Sequence, residues 1–483
     1  MSAATAFSAI NSVRPASAAT STPRVGSKCR VSQVGSTVKL RSGASLVCTK
    51  SGSIARWADL VQIIPESAST TSATTPVDGA GSPSTNIRIG FLDPTFRGQK
   101  VPVAASTARQ VSALVERINF RGGIGGHSVE AVIRPFDLGQ TGDAQVKKLC
   151  TAFADEDHVF AVVSQNVIVS TAARECFAKR KVLWIEGAGS FPLDTQTLAR
   201  MAPYAFQVNA PASDRIGKSY ARMLLDDHYF GTDPSAARVG IIAMRNDVSR
   251  RTTDAFASEL GKRITPNIGF VDVASQATVN RDAAAIATAF ASTGVTHVVS
   301  LLSSANVLPF LWAAEDAKFR PRMAFTSFDN LRVVQDPTLL KLRPVANDNL
   351  IDAVAMGFLP FVDTTDSQLA FPRAGAEVLC MSQLWGYGFA TEDRYASRLA
   401  QNLCDGLTFL KTVGDRVASI STTLDAKVFS AEAELLGSSF DASLAWTTSF
   451  GPGHHDGGAS YRPIRFDAVC RCFQYVGQLR PIE

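Results

Sequence analysis

The chain has 483 residues, of which 46% are hydrophobic and only 19% charged, and its net charge is +5. That length suits two or three domains with sizeable cores, and the mild charge, with acidic and basic residues interspersed, argues against nucleic acid as a partner. No run of roughly 18 apolar residues occurs, so no membrane span is expected.

In chain order, Met1–Thr20 is rich in Ala and Ser. Ala16-Ser17-Ala18 suits a small-residue cleavage site, but the Ala3–Ile10 stretch is weakly apolar and no basic residue precedes it. Residues 1–23 therefore read either as the remnant of a signal peptide or as a disordered leader. Residues 24–62 read as a small module in which Cys29, Cys48 and Trp57 punctuate alternating runs such as Ser36–Leu40 and Ser45–Cys48. Two or three short strands closed by a Cys29–Cys48 bridge, with Trp57 packed over it, are expected, because a module this small builds little core. Residues 63–86, dominated by Ser, Thr, Ala, Pro and Gly, read as a flexible linker.

From Ile87 onward, short apolar runs alternate with helical patterns. Strands are expected at Ile87–Leu92, Val129–Ile133, Val159–Val163, Val182–Ile185, Ala205–Val208, Val239–Ala243, Gly269–Val273, His297–Leu302 and Met323–Thr326. Helix-length segments such as Gly142–Ala154, Asp214–Asp227, Ser249–Arg263, Arg281–Ser292 and Ala305–Ala317 separate them. Unbroken apolar strands between helices indicate parallel sheets covered on both faces, and this many exceed one doubly wound domain. Two α/β lobes are expected. After Asn349 the pattern changes. An apolar strand at Leu350–Leu359 precedes helices near Pro372–Leu384 and Glu392–Thr412, and the glycine-rich Phe450–Gly458 leads to strands Pro463–Asp467 and Cys470–Tyr475.

Eight cysteines, Cys29, Cys48, Cys150, Cys176, Cys380, Cys404, Cys470 and Cys472, fall into four local pairs. An even count so grouped suits an oxidising compartment, with bridges expected at Cys29–Cys48, Cys150–Cys176 and Cys380–Cys404. Side chains of Cys470 and Cys472 point to opposite faces of an extended strand, so bridging them requires a kink. No cysteine–histidine spacing suits a metal. Gly451-Pro452-Gly453-His454-His455-Asp456-Gly457 has no third ligand at useful spacing and reads as a solvated loop. The glycines near residue 123 follow a helix rather than open one, so they are not a dinucleotide fingerprint, and no serine elbow or phosphate-loop lysine motif occurs. No cofactor and no catalysis are expected.

The run Ile118-Asn119-Phe120-Arg121-Gly122-Gly123-Ile124-Gly125-Gly126 closes a helix on paired glycines and returns directly into a strand. With the strand before it, a following strand ending in Asp137 and a third strand–helix unit, residues 87–186 resemble the start of the periplasmic-binding-protein type I family, branched-chain amino-acid (leucine-binding-like) substrate-binding proteins of ABC transporters. The likeness extends more loosely to about residue 475, and the small module looks like those ahead of secreted actinobacterial domains. The resemblance implies two doubly wound Rossmann-like lobes joined by a three-crossover hinge. Residues 87–210 plus 349–412 would form one lobe, and 211–348 plus 413–483 the other. It further implies an extracytoplasmic protein that captures a small, polar, amino-acid-like ligand for an ABC-type permease. A ligand-sensing receptor domain of the same fold is the alternative, and an α/β enzyme the third reading.

Ligands of open α/β sheets bind beyond the carboxyl ends of the strands. In the first lobe that rule selects Asp93 to Phe96, Asp137, Ser164, Gln165, Asn166, Glu186 and Gly187. In the second it selects Arg245, Asn246, Asp247, Ser303, Ser304 and Ser327-Phe328-Asp329. Helices opening after Gln165 or Ser303 would offer N–H groups to a carboxylate. Glu186 and Asp329 on opposite walls would make the cleft acidic and favour an ammonium. The family commonly carries small Gly, Ser or Thr residues where this chain has Ser164-Gln165-Asn166-Val167 and Glu186, which departs from a leucine-like site. Loop capping and turn formation are the plain alternative roles for each of these residues.

Overall fold

The structure, a computed structural model, describes residues 29, 37–39, 45–51, 54–59, 86–96, 99–100, 107–137, 143–164, 171–188, 191–336, 349–364, 368–389 and 393–483. The expected leader, the linker up to residue 85 and the side chain of Trp57 lie outside the described residues. The chain divides into two units, Met1–Ala73 and Thr74–Glu483. In the first, β1 (Thr37–Lys39), β2 (Ser45–Ser51) and β3 (Ile54–Asp59) pair as an antiparallel meander. Cys29 is bridged to the buried Cys48 of β2, as expected.

In the second unit, the first sheet holds β4 (Ile87–Phe96), β5 (Gln99–Lys100), β6 (Val129–Asp137), β7 (Ala161–Ser164), β8 (Leu183–Glu186) and β9 (Ala205–Gln207). β4 lies in parallel between β6 and β7, β8 and β9 follow in parallel, and β5 turns back on the end of β4. Every residue of β7 and β8 is buried, which is why these strands read as unbroken apolar runs rather than alternating ones. The helix Thr107–Phe120 buries Val111, Leu114, Val115 and Ile118 against this sheet. It ends at Gly122 and Gly123, at φ 86° and 75°. A Cβ on Gly123 would stand 1.9 Å from the His127 carbonyl oxygen, so the turn admits only glycine. Asn119 then clamps both backbone groups of Val129, at 2.7 and 2.9 Å, and feeds the chain into β6.

The second sheet runs β11 (Asn267–Val271), β10 (Val239–Met244), β12 (His297–Leu301), β13 (Arg322–Thr326) and β14 (Val354–Gly357) in parallel. β15 (Ser460–Asp467), β16 (Cys472–Tyr475) and β17 (Arg480–Pro481) close it antiparallel. Two parallel sheets in two lobes are thus present, with apolar residues of each buried on both faces.

The lobe boundaries differ from the expected ones in two places. β14 pairs with β13, so residues 354–357 belong to the second lobe, and the second crossing follows Gly357 rather than Asn349. Residues beyond 412, expected in the second lobe, join the first through the end of the long helix Arg394–Ala418 and the unexpected helix Ala426–Glu434, and Phe429, Phe440 and Phe450 share a core there with Phe409, Val163 and Phe206. The third crossing therefore lies near residues 451–459. A four-residue apolar strand carries no sign of which sheet it will enter, so periodicity alone could not place it.

The histidine pair also departs from expectation. His455 is buried, stacked on Phe206 with ring centroids 4.4 Å apart, with Nδ1 3.0 Å from the Ala205 carbonyl oxygen and Nε2 3.0 Å from Glu434. Buried Asp456 accepts from the Ala212 N–H at 2.7 Å and pairs with Arg215. This loop is the third crossing packed along the first. Its glycines make the approach possible, since a Cβ on Gly457 would lie 2.2 Å from the Val208 carbonyl oxygen.

Cys150–Cys176 joins the helices Asp143–Thr151 and Thr171–Lys179, and Cys380–Cys404 joins Ala376–Gly386 to the long helix. Cys470–Cys472 is also bridged, and Arg471 at φ 53° supplies the kink that a bridge across one residue needs. Non-reducing peptide mapping is expected to recover these four bridges. Free thiol at Cys150 or Cys380 in native material would contradict both the pairing and the oxidising compartment.

Candidate functional site

β7 and β8 end side by side at Ser164 and Glu186, and the Gly187 N–H donates to the Ser164 carbonyl at 3.1 Å. Over this end sits Asn402 of the long helix. Its amide donates to the Ala188 carbonyl at 2.8 Å, and a Cβ on Gly187 would lie 2.2 Å from its Oδ1. Asn209, on the first crossing, donates to Asn402 at 3.1 Å and to Asp405 at 2.9 Å. Asp405 also accepts the backbone N–H groups of Ser443 at 2.7 Å and Leu444 at 3.2 Å, on the approach to the third crossing. One turn of the long helix thus ties the exit of β8 to two crossings. Burial raises Asp405 to about 6, against the hydrogen bonds from Asn209 and Ser443 that favour its charged form.

Facing these strand ends is the second lobe. Phe191, on the loop after β8, packs on Phe328, just after β13, with ring centroids 4.7 Å apart. Phe358, just after β14, meets the other edge of Phe328 at 4.9 Å. Asp194 caps the helix Thr195–Met201 and also accepts from Arg251 of the second lobe, holding the lobes together beside the first crossing. Asn330, at φ 54°, donates to the Tyr395 hydroxyl at 3.3 Å. The guanidiniums of Arg332 and Arg398 lie 5.1 and 4.0 Å from the Tyr395 ring.

The residues expected at the site are distributed as follows. Ser164 is buried at the cleft end of β7, and its hydroxyl has no hydrogen-bond partner among the described residues. Gly187 lies next to it, under Asn402. Gln165 and Asn166 lie outside the described residues. Glu186 is buried but turned into its own lobe, paired with Arg174 and accepting from the Trp184 indole N–H at 3.1 Å. Asp247 is exposed at the first turn of the helix Asp247–Leu260. Ser303 precedes the helix Ser304–Asp316, and its hydroxyl accepts from Asn306 at 2.8 Å, while the side chain of Ser304 lies outside the described residues. Asp329 is fully buried, accepting from the Ser300 hydroxyl at 2.5 Å and the Thr326 N–H at 2.8 Å.

The expectation of two acidic walls is corrected accordingly. Alternation along β8 points Glu186 to the same face as Trp184, toward Arg174, and a capping box turns Asp329 back onto Thr326. Tyr395, Arg398 and Asn402 escaped the strand-end rule because they lie on a helix far away in sequence. Asn330 and Arg332 follow Phe328 so closely that extending the rule by a few residues would have found them. A cavity of about 360 Å³, bounded by Leu224, Tyr229, Arg322, Ile464 and Arg480, opens where β13 and β14 begin, away from their carboxyl ends. Among the described residues, no helix is long and apolar enough to cross a membrane and no cluster of potential metal ligands occurs.

The family profile described as Periplasmic binding protein matches residues 86–374. The fold is similar to that of an ABC transporter substrate-binding protein from Desulfitobacterium hafniense in complex with Leu, at 14% identity and a TM-score of 0.54, covering 81% of this chain and 100% of that one. It is similar to the branched-chain amino acid transporter substrate binding protein of Streptococcus pneumoniae in complex with isoleucine, at 14% identity and TM-score 0.53, covering 82% and 100%. A solute binding protein of an ABC transporter from Rhodopseudomonas palustris BisB5, in complex with 3,4-dihydroxy benzoic acid, matches at 11% identity and TM-score 0.54, covering 82% and 98%. No curated protein matches the chain in sequence.

Proposed function

The chain belongs to the periplasmic binding protein family, and from that premise we propose that it captures a small organic ligand between its lobes outside the cytoplasm and presents the closed form to an ABC-type permease. The observation that carries this reading is the meeting of strand ends from both lobes, where the loop after β8 touches the loop after β13 through Phe191 and Phe328. A ligand held there contacts both lobes, and only a ligand that binds the closed arrangement better can drive closure. Structural neighbours hold a branched-chain amino acid and an aromatic acid in complexes of this fold, which supports a small carboxylate-bearing molecule as the cargo.

A ligand that binds only the folded protein stabilises it by about 2.7 kcal/mol at a hundredfold excess over Kd. A thermal-shift screen of amino acids, amides and small carboxylates is therefore expected to yield compounds that raise the melting temperature. The same compounds should reduce the radius of gyration in solution scattering, as the lobes close. A screen in which nothing raises the melting temperature would overturn the reading.

A further inference from the structure

The cleft holds positive charge where the sequence predicted negative. Three buried carboxylates near it are engaged within their own lobes: Glu186 by Arg174 and Trp184, Asp329 by Ser300 and Thr326, and Asp363 by Ser327 at 2.6 Å and the Tyr475 hydroxyl at 3.2 Å. None presents itself to an ammonium. Arg332 and Arg398, by contrast, approach the same ring, that of Tyr395, from opposite lobes.

Arg332 has a side chain only 21% exposed, a carboxylate no nearer than Asp393 at 3.9 Å, and a buried Nη1 with no hydrogen-bond partner among the described residues. Arg398 donates to the Tyr395 carbonyl at 2.6 Å. It stands one helical turn before Asn402, which places it toward the ends of β7 and β8. An aromatic ring against the face of a guanidinium leaves its edge N–H groups available, and those of Arg398 other than the one given to the Tyr395 carbonyl can still donate. Two like charges beside one ring also repel, and burial together with Arg332 holds Arg398 below the ordinary guanidinium range, although Tyr395 and Asp393 oppose this. An anion between them would relieve both costs. Phe191, half-buried on the loop after β8 and packed on the buried Phe328, offers an apolar face at the same strand ends.

We propose that Arg332 and Arg398 form an anion clamp across the cleft, and that the ligand is a small apolar or aromatic monocarboxylate whose body lies on Phe191. This rests on the solute-binding reading and names its ligand class. An ammonium group contributes nothing in such a site.

The test is calorimetric titration of the full chain with benzoate, phenylpropanoate and isocaproate, beside L-phenylalanine and phenylethylamine. At least one simple carboxylate is expected to bind, and phenylethylamine is not. Arg332→Gln and Arg398→Gln should each weaken that carboxylate about tenfold or more, as loss of a charge-assisted hydrogen bond implies. Arg332→Lys and Arg398→Lys should fall between, because they keep the charge and lose the fork. Arg250→Gln, on an exposed helix face over Phe270, should bind as the parent does. Melting temperatures of the empty variants separate lost binding from lost folding. Binding of phenylethylamine with none of the carboxylates, or both glutamine variants binding like the parent, would overturn the clamp, and binding of phenylalanine but of none of the simple carboxylates would overturn the ligand class. If nothing in this set binds and the wider screen is also blank, the clamp and the solute-binding reading fall together.

Discussion

Replacing Glu377 by alanine is expected to remove about 3–5 kcal/mol of folding stability, because it leaves buried positive charge without its counter-ion. Glu377 and Arg394 have side chains 0% and 1% exposed, joined at 2.7 Å through Arg394 Nε and at 3.1 Å through Nη2. The same carboxylate accepts from the Arg373 backbone N–H at 2.7 Å. Arg373 in turn donates to the carbonyls of Ser443 and Ala445, at 2.7 and 2.8 Å, on the chain leading to the third crossing. The ion pair therefore fixes the start of the long helix against the return path of the chain. The urea midpoint of Glu377→Ala should fall sharply, and Glu377→Gln, which keeps one of the two acceptor oxygens but loses the charge, should fall less. Removing both partners, as Glu377→Met with Arg394→Met, should recover part of the loss, since a pair of apolar side chains strands no charge. A single-variant loss below about 1 kcal/mol would show that water reaches this pair, as it does for exposed ones.

How much of the molecule was legible follows from which signals are local. Strands such as β7, β8 and β10 could be read because they are buried on both faces and bounded by turn chemistry, and the Gly122-Gly123 turn because its φ values favour glycine. Cys380 and Cys404 could be paired because they are near in sequence on neighbouring helices. The cleft was harder. Alternation along a strand identifies its carboxyl end but not which partner claims the side chain there, so Glu186 and Asp329 looked available when Arg174 and Ser300 had already engaged them. Asn209, Asn402 and Asp405 meet across nearly two hundred residues, and no local pattern marks such a contact. His455 looked solvated for the same reason, since its burial depends on a crossing that packs against Ala205 and Phe206.

Asp329 supplies a test that separates structural burial from ligand contact. Burial raises it from an ordinary 3.8 to about 7, outweighing the hydrogen bonds from Ser300 and Thr326 that favour its charged form. The folded state therefore holds this proton more tightly than the unfolded state does. Its contribution is fully favourable below about pH 4 and is lost as pH rises toward 7, the reverse of a carboxylate stabilised as its anion. A shift of this size corresponds to roughly 4 kcal/mol. An asparagine side chain in its place can imitate the protonated acid, with its carbonyl accepting from the Thr326 N–H and its amide donating to the Ser300 hydroxyl. Asp329→Asn is therefore expected to be more stable than the parent at about pH 8 and nearly equal to it at about pH 4, with a flatter profile between. Asp405, raised to about 6, acts in the same direction and will leave some slope in the variant. Ligand affinity should change by less than about twofold, because a carboxylate turned onto Ser300 and Thr326 has no role in the cleft. Equal destabilisation at both pH values would show that Asp329 is ionised in the folded state. Lost binding in a protein that melts normally would return it to the ligand wall.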